Sequence, residues 1–189
     1  MSTDTAAAPA VFTFTARLNA RLQPEHAQEL FVEPLSAWLR DAGQGDASLG
    51  QVGLSPEDEV LYVDLRIALQ ADSEVAAVIV ALEELGAPLA STLLLPEGEH
   101  DFGRMQGLGL YLDGQNLADE VYETCDPFEV YEQVASRIDG IGDVCSFWQG
   151  DSETALYLYG RDAAAMQAAI ADFVASYPLC QGARVERIA

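Results

Sequence analysis

The sequence predicts an α+β fold in which one ferredoxin-like βαββαβ unit occurs twice in tandem. Two segments, 58–65 and 152–160, each begin with an acidic turn and continue into a strand that contains Leu-Tyr. They lie roughly 92 to 95 residues apart, which suits a domain duplication and is too long for a solenoid repeat. Each half also follows the order strand, helix, strand, strand, helix, strand. We therefore expect two antiparallel sheets with helices on one face of each.

The first half, residues 11–95, opens with an alternating strand at 11–18 whose apolar residues would face a core. A helix follows from Pro24, because proline suits a first helical turn. Pro34 falls inside the apolar pattern of that helix and predicts a kink or a break. The residues expected to face the core from this strand and helix are Phe12, Phe14, Ala16, Leu18, Leu30, Phe31, Leu35, Trp38 and Leu39.

Two further strands, a second helix and a closing strand complete the first half. A strand at 49–54 turns through residues 55–58 into the next strand. Asp72 or Ser73 is expected to cap the second helix, and a strand at 91–95 ends the unit. The residues that the 58–69 strand is expected to bury on one face are Leu61, Val63, Leu65, Ile67 and Leu69.

The connections are predicted from composition. Residues 96–105 are polar and rich in glycine, which is typical of a linker between two domains. Residues 1–10 contain no basic residue and no long apolar run, so they indicate a short disordered lead-in and not a secretory signal. Whether the two sheets join edge to edge or pack face to face stays open at this point.

The second half, residues 106–189, repeats the order of elements, beginning with a strand at 108–112. Asp126-Pro127 with Glu129 predicts a helix start with a capping box. Strands at 143–149 and 153–159 are expected to pair around Gly150-Asp151, and 183–188 to form the final strand. The residues expected to face the core from the two helices are Phe128, Tyr131, Val134 and Ile138, then Met166, Ile170, Phe173 and Val174.

Charge restricts the possible partners. The chain has 31 Asp and Glu residues against nine basic residues, all of them Arg, which gives a formal net charge of −22. This charge argues against binding to nucleic acid or to anionic membranes, whose phosphates would repel it. Half of the residues are apolar, so the chain is expected to fold. A basic protein or a cation is the expected kind of partner.

No reaction is indicated by the residues. Cys125, Cys145 and Cys180 are odd in number and widely spaced, which is typical of reduced thiols in the cytoplasm. His100 lies among carboxylates, but it and His26 lack a convincing ligand set, so no metal ion and no cofactor are expected. The sequence also lacks a GxSxG nucleophile motif. We therefore assign no catalytic residue.

The densest polar cluster is the connection at 111–122, which is longer than a strand-to-helix connection requires. A solvated loop, a partner contact and a Ca²⁺ site are three interpretations, although the spacing does not follow the EF-hand pattern. A second cluster, of aromatic residues, lies on two adjacent predicted strands. Its tyrosines either form an open face for a partner or belong to a core between the sheets. The candidate partner-binding residues are Asp113, Asn116, Asp119, Glu120, Tyr122, Trp148, Tyr157 and Tyr159.

Several segments between 105 and 189 resemble a family of uncharacterised bacterial proteins. The segments that carry the resemblance are 109–114, 119–122, 148–150, 153–160 and 177–181. By size, charge and type these proteins are similar to immunity proteins of polymorphic, contact-dependent toxin systems. The resemblance implies a small cytoplasmic protein that occludes the basic or anion-binding active site of a cognate toxin. It carries over no catalytic residue.

Two other functions remain open on the sequence. Paired ferredoxin-like domains suit a regulatory protein that holds a small molecule between its halves, and a ligand retained by purified protein would favour that interpretation. An enzyme using carboxylates and a metal ion is the third, and retention of a divalent metal after chelation would favour it. A co-encoded basic toxin would favour the immunity protein.

Overall fold

The computed structural model of the protein describes residues 12–189 and is an α+β fold with two antiparallel sheets. The elements of the first half are β1 (Phe12–Leu18), α1 (Pro24–Ala27), α2 (Glu33–Asp41), β2 (Gly45–Leu54), β3 (Val60–Leu69), α3 (Val75–Glu84), β4 (Ser91–Leu95) and β5 (Gly98–Phe102). Those of the second half are β6 (Gln106–Asp113), α4 (Asp119–Thr124), α5 (Pro127–Ile138), β7 (Gly142–Gln149), β8 (Glu153–Gly160), α6 (Ala163–Ser176) and β9 (Arg184–Arg187). The disorder predicted for residues 1–10 concerns a segment outside the described residues.

The first sheet has the strand order β2-β3-β1-β4-β5. β1 lies at its centre and pairs antiparallel with β3, from Phe12 opposite Leu69 to Leu18 opposite Val63, and also with β4. Alternate residues of β1, namely Phe14, Ala16 and Leu18, are buried, as the alternation predicted. One prediction for β3 is wrong: Leu61 is exposed and Val60 is buried instead. A bulge opposite β2 leaves Leu61 unpaired and reverses the alternation there.

The helix with an internal proline is irregular, as predicted. A π-helical turn, Gln28–Val32, separates α1 from α2, and Pro34 lies in the first turn of α2. The wider turn accommodates a residue that has no N–H to donate to the preceding turn. It also changes the phase of the helix, so Leu30 and Trp38 are exposed although the regular pattern predicted that they face the core. The cap predicted for the second helix of this half is misplaced, because Asp72 lies in a 3-10 turn, Asp72–Glu74, and the N-cap residue of α3 is Glu74, which forms no side-chain cap hydrogen bond.

The predicted linker at 96–105 contains a strand. β5 pairs antiparallel with β4 through a two-residue loop, with Leu95 opposite Gly98 and Ser91 opposite Phe102. Within β5 only Phe102 is buried, because the strand lies at the edge of the sheet and carries charged residues. The sequence therefore showed no alternating apolar pattern from which this strand could be predicted.

The junction between the halves is held in place by hydrogen bonds. The amides of Arg104 and Met105 donate to the carbonyl of Ala87 at 2.8 and 3.1 Å, and the amide of Leu89 donates to the carbonyl of Met105 at 2.7 Å. The Arg104 guanidinium also pairs with Glu83 at 2.6 Å. The segment that leads from β5 into the second half is therefore fixed against the segment that follows α3.

The second sheet has the strand order β7-β8-β6-β9, with β6 and β8 in its interior. β8 pairs with β6 and with β7, and the predicted hairpin around Gly150 is confirmed. Asp126 caps α5 as predicted, since its carboxylate accepts a hydrogen bond from the amide of Phe128 at 2.8 Å. The capping box is not formed, because Glu129 instead accepts from the side chain of Gln133 at 2.7 Å.

The inward face of α5 differs from the prediction. Val130, Val134 and Ile138 are fully buried, whereas Phe128 is 59% exposed and Tyr131 is 41% exposed. The predicted and the observed sets of buried residues both have helical spacing, and both end with Val134 and Ile138. The sequence therefore did not determine which side of the first turns faces the core. The aromatic pair consequently lies on the outer face of the helix.

The described residues form two hydrophobic cores. The smaller core fills the space between the second sheet and its helices, with Leu110 and Leu158 packed against Val134 and Ile170. The larger core belongs to the first half, and it also includes the opposite face of the second sheet. That face packs against the segment after β1 and the turn before β3, which buries Trp148, Tyr157 and Tyr159. Within residues 12–189 the two sheets do not join edge to edge. Residues 12–189 include no helix with the length and apolar composition needed to span a membrane.

Candidate functional site

The connection that follows β6 is ordered by its own polar groups. The Asp113 carboxylate accepts hydrogen bonds from the amides of Gln115 and Asn116, both at 2.9 Å, and from the Asn116 side chain. These bonds hold the pKa of the Asp113 carboxyl below its usual value, with the Gln115 amide as the largest cause. Asp113 therefore satisfies backbone donors, as the solvated-loop interpretation expects, and the Asn116 side chain donates to the same carboxylate.

Tyr122 closes this loop while its ring stays accessible. Its hydroxyl donates to the carbonyl of Asp113 at 3.2 Å and accepts from the amide of Leu117 at 3.1 Å. Asp119 and Glu120 lie in the first turn of α4, where carboxylates interact favourably with the helix dipole, and both are exposed. Three of the predicted contact residues thus project from one short helix.

The structure adds an aromatic pair that the sequence placed in the core. Phe128 and Tyr131 stack on the outer face of α5, with ring centroids 5.8 Å apart and planes 22° apart. Exposed aromatic rings with a defined geometry are typical anchors of protein interfaces. We call the exposed side chains of these two consecutive helices the α4–α5 surface: Asp119, Glu120, Tyr122, Glu123, Phe128, Tyr131 and Glu132.

The α4–α5 surface keeps its negative charge. Residues 119–132 contain six carboxylates and no arginine. The described salt bridges neutralise carboxylates elsewhere, and none of them includes a residue between 119 and 132. The carboxylates that the arginines pair with are Asp46, Glu59, Asp64, Glu83, Glu153 and Glu186. Among residues 12–189, this stretch therefore carries negative charge that the ion pairs leave uncompensated.

The other predicted aromatic residues are buried between the halves. Tyr157 is 1% exposed, Tyr159 6% and Trp148 8%. The Tyr159 hydroxyl accepts a hydrogen bond from the amide of Arg21 at 2.8 Å. Of the two interpretations that the sequence left open, the core therefore describes these three side chains, and the open face is wrong.

A partly buried polar cluster joins the halves beside these rings. The Glu59 carboxylate accepts hydrogen bonds from Tyr111 at 2.7 Å and from Tyr157 at 2.5 Å, and it forms a salt bridge with Arg21. Burial opposes ionisation of Glu59, but the bonds from Tyr157, Tyr111 and Arg21 outweigh it and lower the pKa of this carboxyl. Burial, reinforced by the bond to Glu59, raises the pKa of both tyrosines.

Groups suited to metal binding or nucleophilic chemistry are dispersed. Within residues 12–189, no three His, Cys, Asp or Glu side chains are arranged to hold a metal ion. His100 is exposed on β5, and His26 lies 2.9 Å from the Ser146 hydroxyl. Burial raises the pKa of the Cys145 and Cys180 thiols to about 11, which leaves little thiolate near neutral pH.

No protein-family model and no curated protein sequence matches the chain.

Proposed function

We propose that this protein is a non-catalytic acidic binding protein whose partner is a basic protein, contacted through the α4–α5 surface. The observation that carries the proposal is the combination of uncompensated carboxylates with the exposed stack of Phe128 and Tyr131. Carboxylates steer a basic partner during diffusion, and aromatic rings supply contact area once it has docked. Asp119, Glu120 and Tyr122 extend this surface onto α4.

The charge and the resemblance of residues 105–189 support the kind of partner that we propose. A surface rich in carboxylates imitates an anionic substrate, so it fits the anion-binding cleft of a nuclease or a similar enzyme. We propose that the protein is an immunity protein that neutralises a cognate toxin in this way. All three cysteines lie within the described residues and are free thiols. Free thiols are typical of a reducing compartment, which supports a location in the cytoplasm.

We also propose that the two halves arose by duplication of one ferredoxin-like unit. The order β2-β3-β1-β4 in the first sheet matches β7-β8-β6-β9 in the second when β5 is set aside. In both sheets the first strand of the half pairs with the third and the fourth. An experimental structure in which β1–β4 fail to superpose on β6–β9 would contradict the duplication.

Capture from the native host tests the binding surface. We expect the protein to retain a basic protein, and the double variant D119K/E120K to retain about tenfold less of it at equal folded concentration. The matched control is E97K/E99K, which makes the same charge change at two exposed positions of the β4–β5 hairpin. With the purified partner, association should slow as salt rises while dissociation changes less. Equal weakening by both variants would place the contact elsewhere.

A genetic experiment tests the immunity role separately. Deleting the gene for this chain is expected to stop growth of the host, and removing the gene of the captured partner is expected to restore it. A catalytically inactivated partner should restore growth equally well. A deletion strain that grows normally while the active partner is made would refute the toxin-neutralising role.

A further inference from the structure

A second candidate site lies between the two halves. There a cleft of about 950 Å³ opens between residues 20–31 and 84–88 of the first half and residues 140–145 and 159–165 of the second. Clefts that hold small ligands in proteins measure roughly 300–1,000 Å³ and are commonly found where two domains meet. This cleft is distinct from the α4–α5 surface, and the inference drawn from it does not depend on the proposed function.

The floor of the cleft is apolar. It is formed by the buried Leu22 and Phe31 together with Leu85, Met105 and Val144. At the mouth, Leu30 and Ile141 are exposed to solvent. A ligand with an apolar body that covers these side chains removes apolar area from water, which favours binding.

The polar groups of the lining are mainly acidic. Glu29, Glu84, Asp143 and Asp162 line the cleft, and Arg161 is the arginine that opposes them. Among the described residues, no salt bridge neutralises these four carboxylates. The Asp162 carboxylate also accepts a hydrogen bond from the amide of Ala165 at 3.0 Å, which fixes it at the start of α6. Carboxylates beside a low-dielectric floor attract cations and repel anions.

We infer that the cleft binds a small organic cation with an apolar body, such as a quaternary ammonium compound or an aromatic amine. The apolar floor receives the body of the ligand, and the carboxylates at the rim neutralise its charge. His26 also lines the cleft, but its ring nitrogen Nδ1 is engaged with the Ser146 hydroxyl at 2.9 Å. The recognition therefore rests on shape and on the sign of the charge.

Two probes of the same shape and opposite charge test this inference. Tetraphenylphosphonium and tetraphenylborate both carry four phenyl groups, and they differ in the sign of their charge. Calorimetric titration of the full chain is expected to show one saturable site for tetraphenylphosphonium and none for tetraphenylborate. Absence of saturable tetraphenylphosphonium binding, or equally tight binding of tetraphenylborate, would overturn the inference.

Two tryptophan variants on α6 separate the cleft from the acidic surface in general. Ala165→Trp places a large side chain in the lining, whereas Ala168→Trp adds the same side chain at an exposed position outside it. We expect A165W to weaken tetraphenylphosphonium binding by at least about tenfold and A168W to leave it unchanged. Equal affinities in the two variants would show that the cation adsorbs to the acidic surface, which contradicts a cleft site.

A measurement on the unsubstituted protein covers the case in which A165W does not fold. Cys145 lines the cleft and Cys125 does not. Burial and the nearby Asp143 raise the pKa of the Cys145 thiol to about 11, so alkylation is followed at mildly alkaline pH by peptide mass spectrometry. Tetraphenylphosphonium is expected to slow alkylation of Cys145 and not of Cys125. Unchanged or equally slowed alkylation of the two thiols would refute occupancy of the cleft.

Discussion

At the scale of single residues, Glu59 connects parts of the chain that lie far apart in sequence. It lies in the turn before β3, and its partners are Arg21 in the first half and Tyr111 and Tyr157 in the second. The three donors compensate the Glu59 carboxylate for the hydrating water that it loses on burial. Nothing in the sequence distinguishes Glu59 from its acidic neighbours, because its partners are 38, 52 and 98 residues away.

Replacing Glu59 by Ala is expected to destabilise the protein by about 2–3 kcal/mol, because the Arg21 guanidinium and two tyrosine hydroxyls lose their common acceptor. Chemical denaturation monitored by tryptophan fluorescence measures the loss. Glu57→Ala is the matched control, since Glu57 lies exposed in the same turn, and it should change the free energy of unfolding little. Equal effects of the two variants would show that the Glu59 cluster contributes nothing.

The same cluster predicts a pH dependence. The pKa of Glu59 is lowered in the folded state, so its contribution is complete above the ordinary glutamate pKa of about 4.3 and is lost as pH falls through the folded value. The difference in stability between the parent and E59Q should therefore shrink as pH falls below about 4. Protonation of the other carboxylates also changes stability, because it relieves their mutual repulsion. This effect is the same in both proteins, so it cancels in the difference between them. A difference that stays constant down to acid pH would contradict this mechanism.

At the scale of elements, the junction between the halves depends on a glycine. Gly103 has a φ of +104°, and a Cβ atom built there lies 1.8 Å from the carbonyl oxygen of Pro88. The amide of Gly103 donates to Glu83 at 3.3 Å, beside the hydrogen bonds that hold 104–105 against Ala87. Any side chain at this position displaces one segment from the other.

Gly103→Ala is expected to destabilise the protein by about 2–4 kcal/mol, through backbone strain together with the steric overlap at Pro88. Gly98→Ala is the control: Gly98 also has a positive φ, of +142°, but no atom lies within 4 Å of its added Cβ. It should cost about 1–2 kcal/mol, from backbone strain alone. Thermal unfolding followed by circular dichroism measures both variants, and equal losses would contradict a role for the close approach.

Elements with a regular apolar period were predicted well, and elements without one were missed. β1, the β7–β8 hairpin and the Asp126 cap follow from alternation and capping chemistry that are local in sequence. β5 was missed because an edge strand buries little, and the phase of α5 was wrong because two stripes fit the same residues. Local irregularities such as the π-helical turn depend on packing that the sequence pattern does not contain.

At the scale of the whole molecule, the two halves share a core. The larger hydrophobic cluster includes Tyr157 and Tyr159 of the second half together with Leu22 and Leu65 of the first. We therefore expect one calorimetric unfolding transition, with a ratio of calorimetric to van't Hoff enthalpy of about one. Two resolved transitions would show that the halves unfold independently and that the shared core contributes little.

The exposure of the candidate surface was partly predictable. An excess of polar residues in the connection predicts that Asp119, Glu120 and Tyr122 are exposed, and all three project from α4. Phe128 and Tyr131 were assigned to the core because apolar residues at helical spacing usually face inward. Trp148, Tyr157 and Tyr159 could not be assigned, since a β-strand has two faces and only the position of the first half decides which face is covered.

β8 lies at the boundary between the two cores. Because of this position, β8 tolerates substitution less well than the α4–α5 surface does. Tyr157 and Tyr159 fill the core that the halves share, while Leu156 and Leu158 fill the core of the second half. A new charge on either face of β8 therefore disrupts one of two cores, whereas the α4–α5 surface can change its side chains without disturbing either. Under the proposed function, variation in partner preference can thus accumulate on α4 and α5 while the interior strand keeps the fold unchanged.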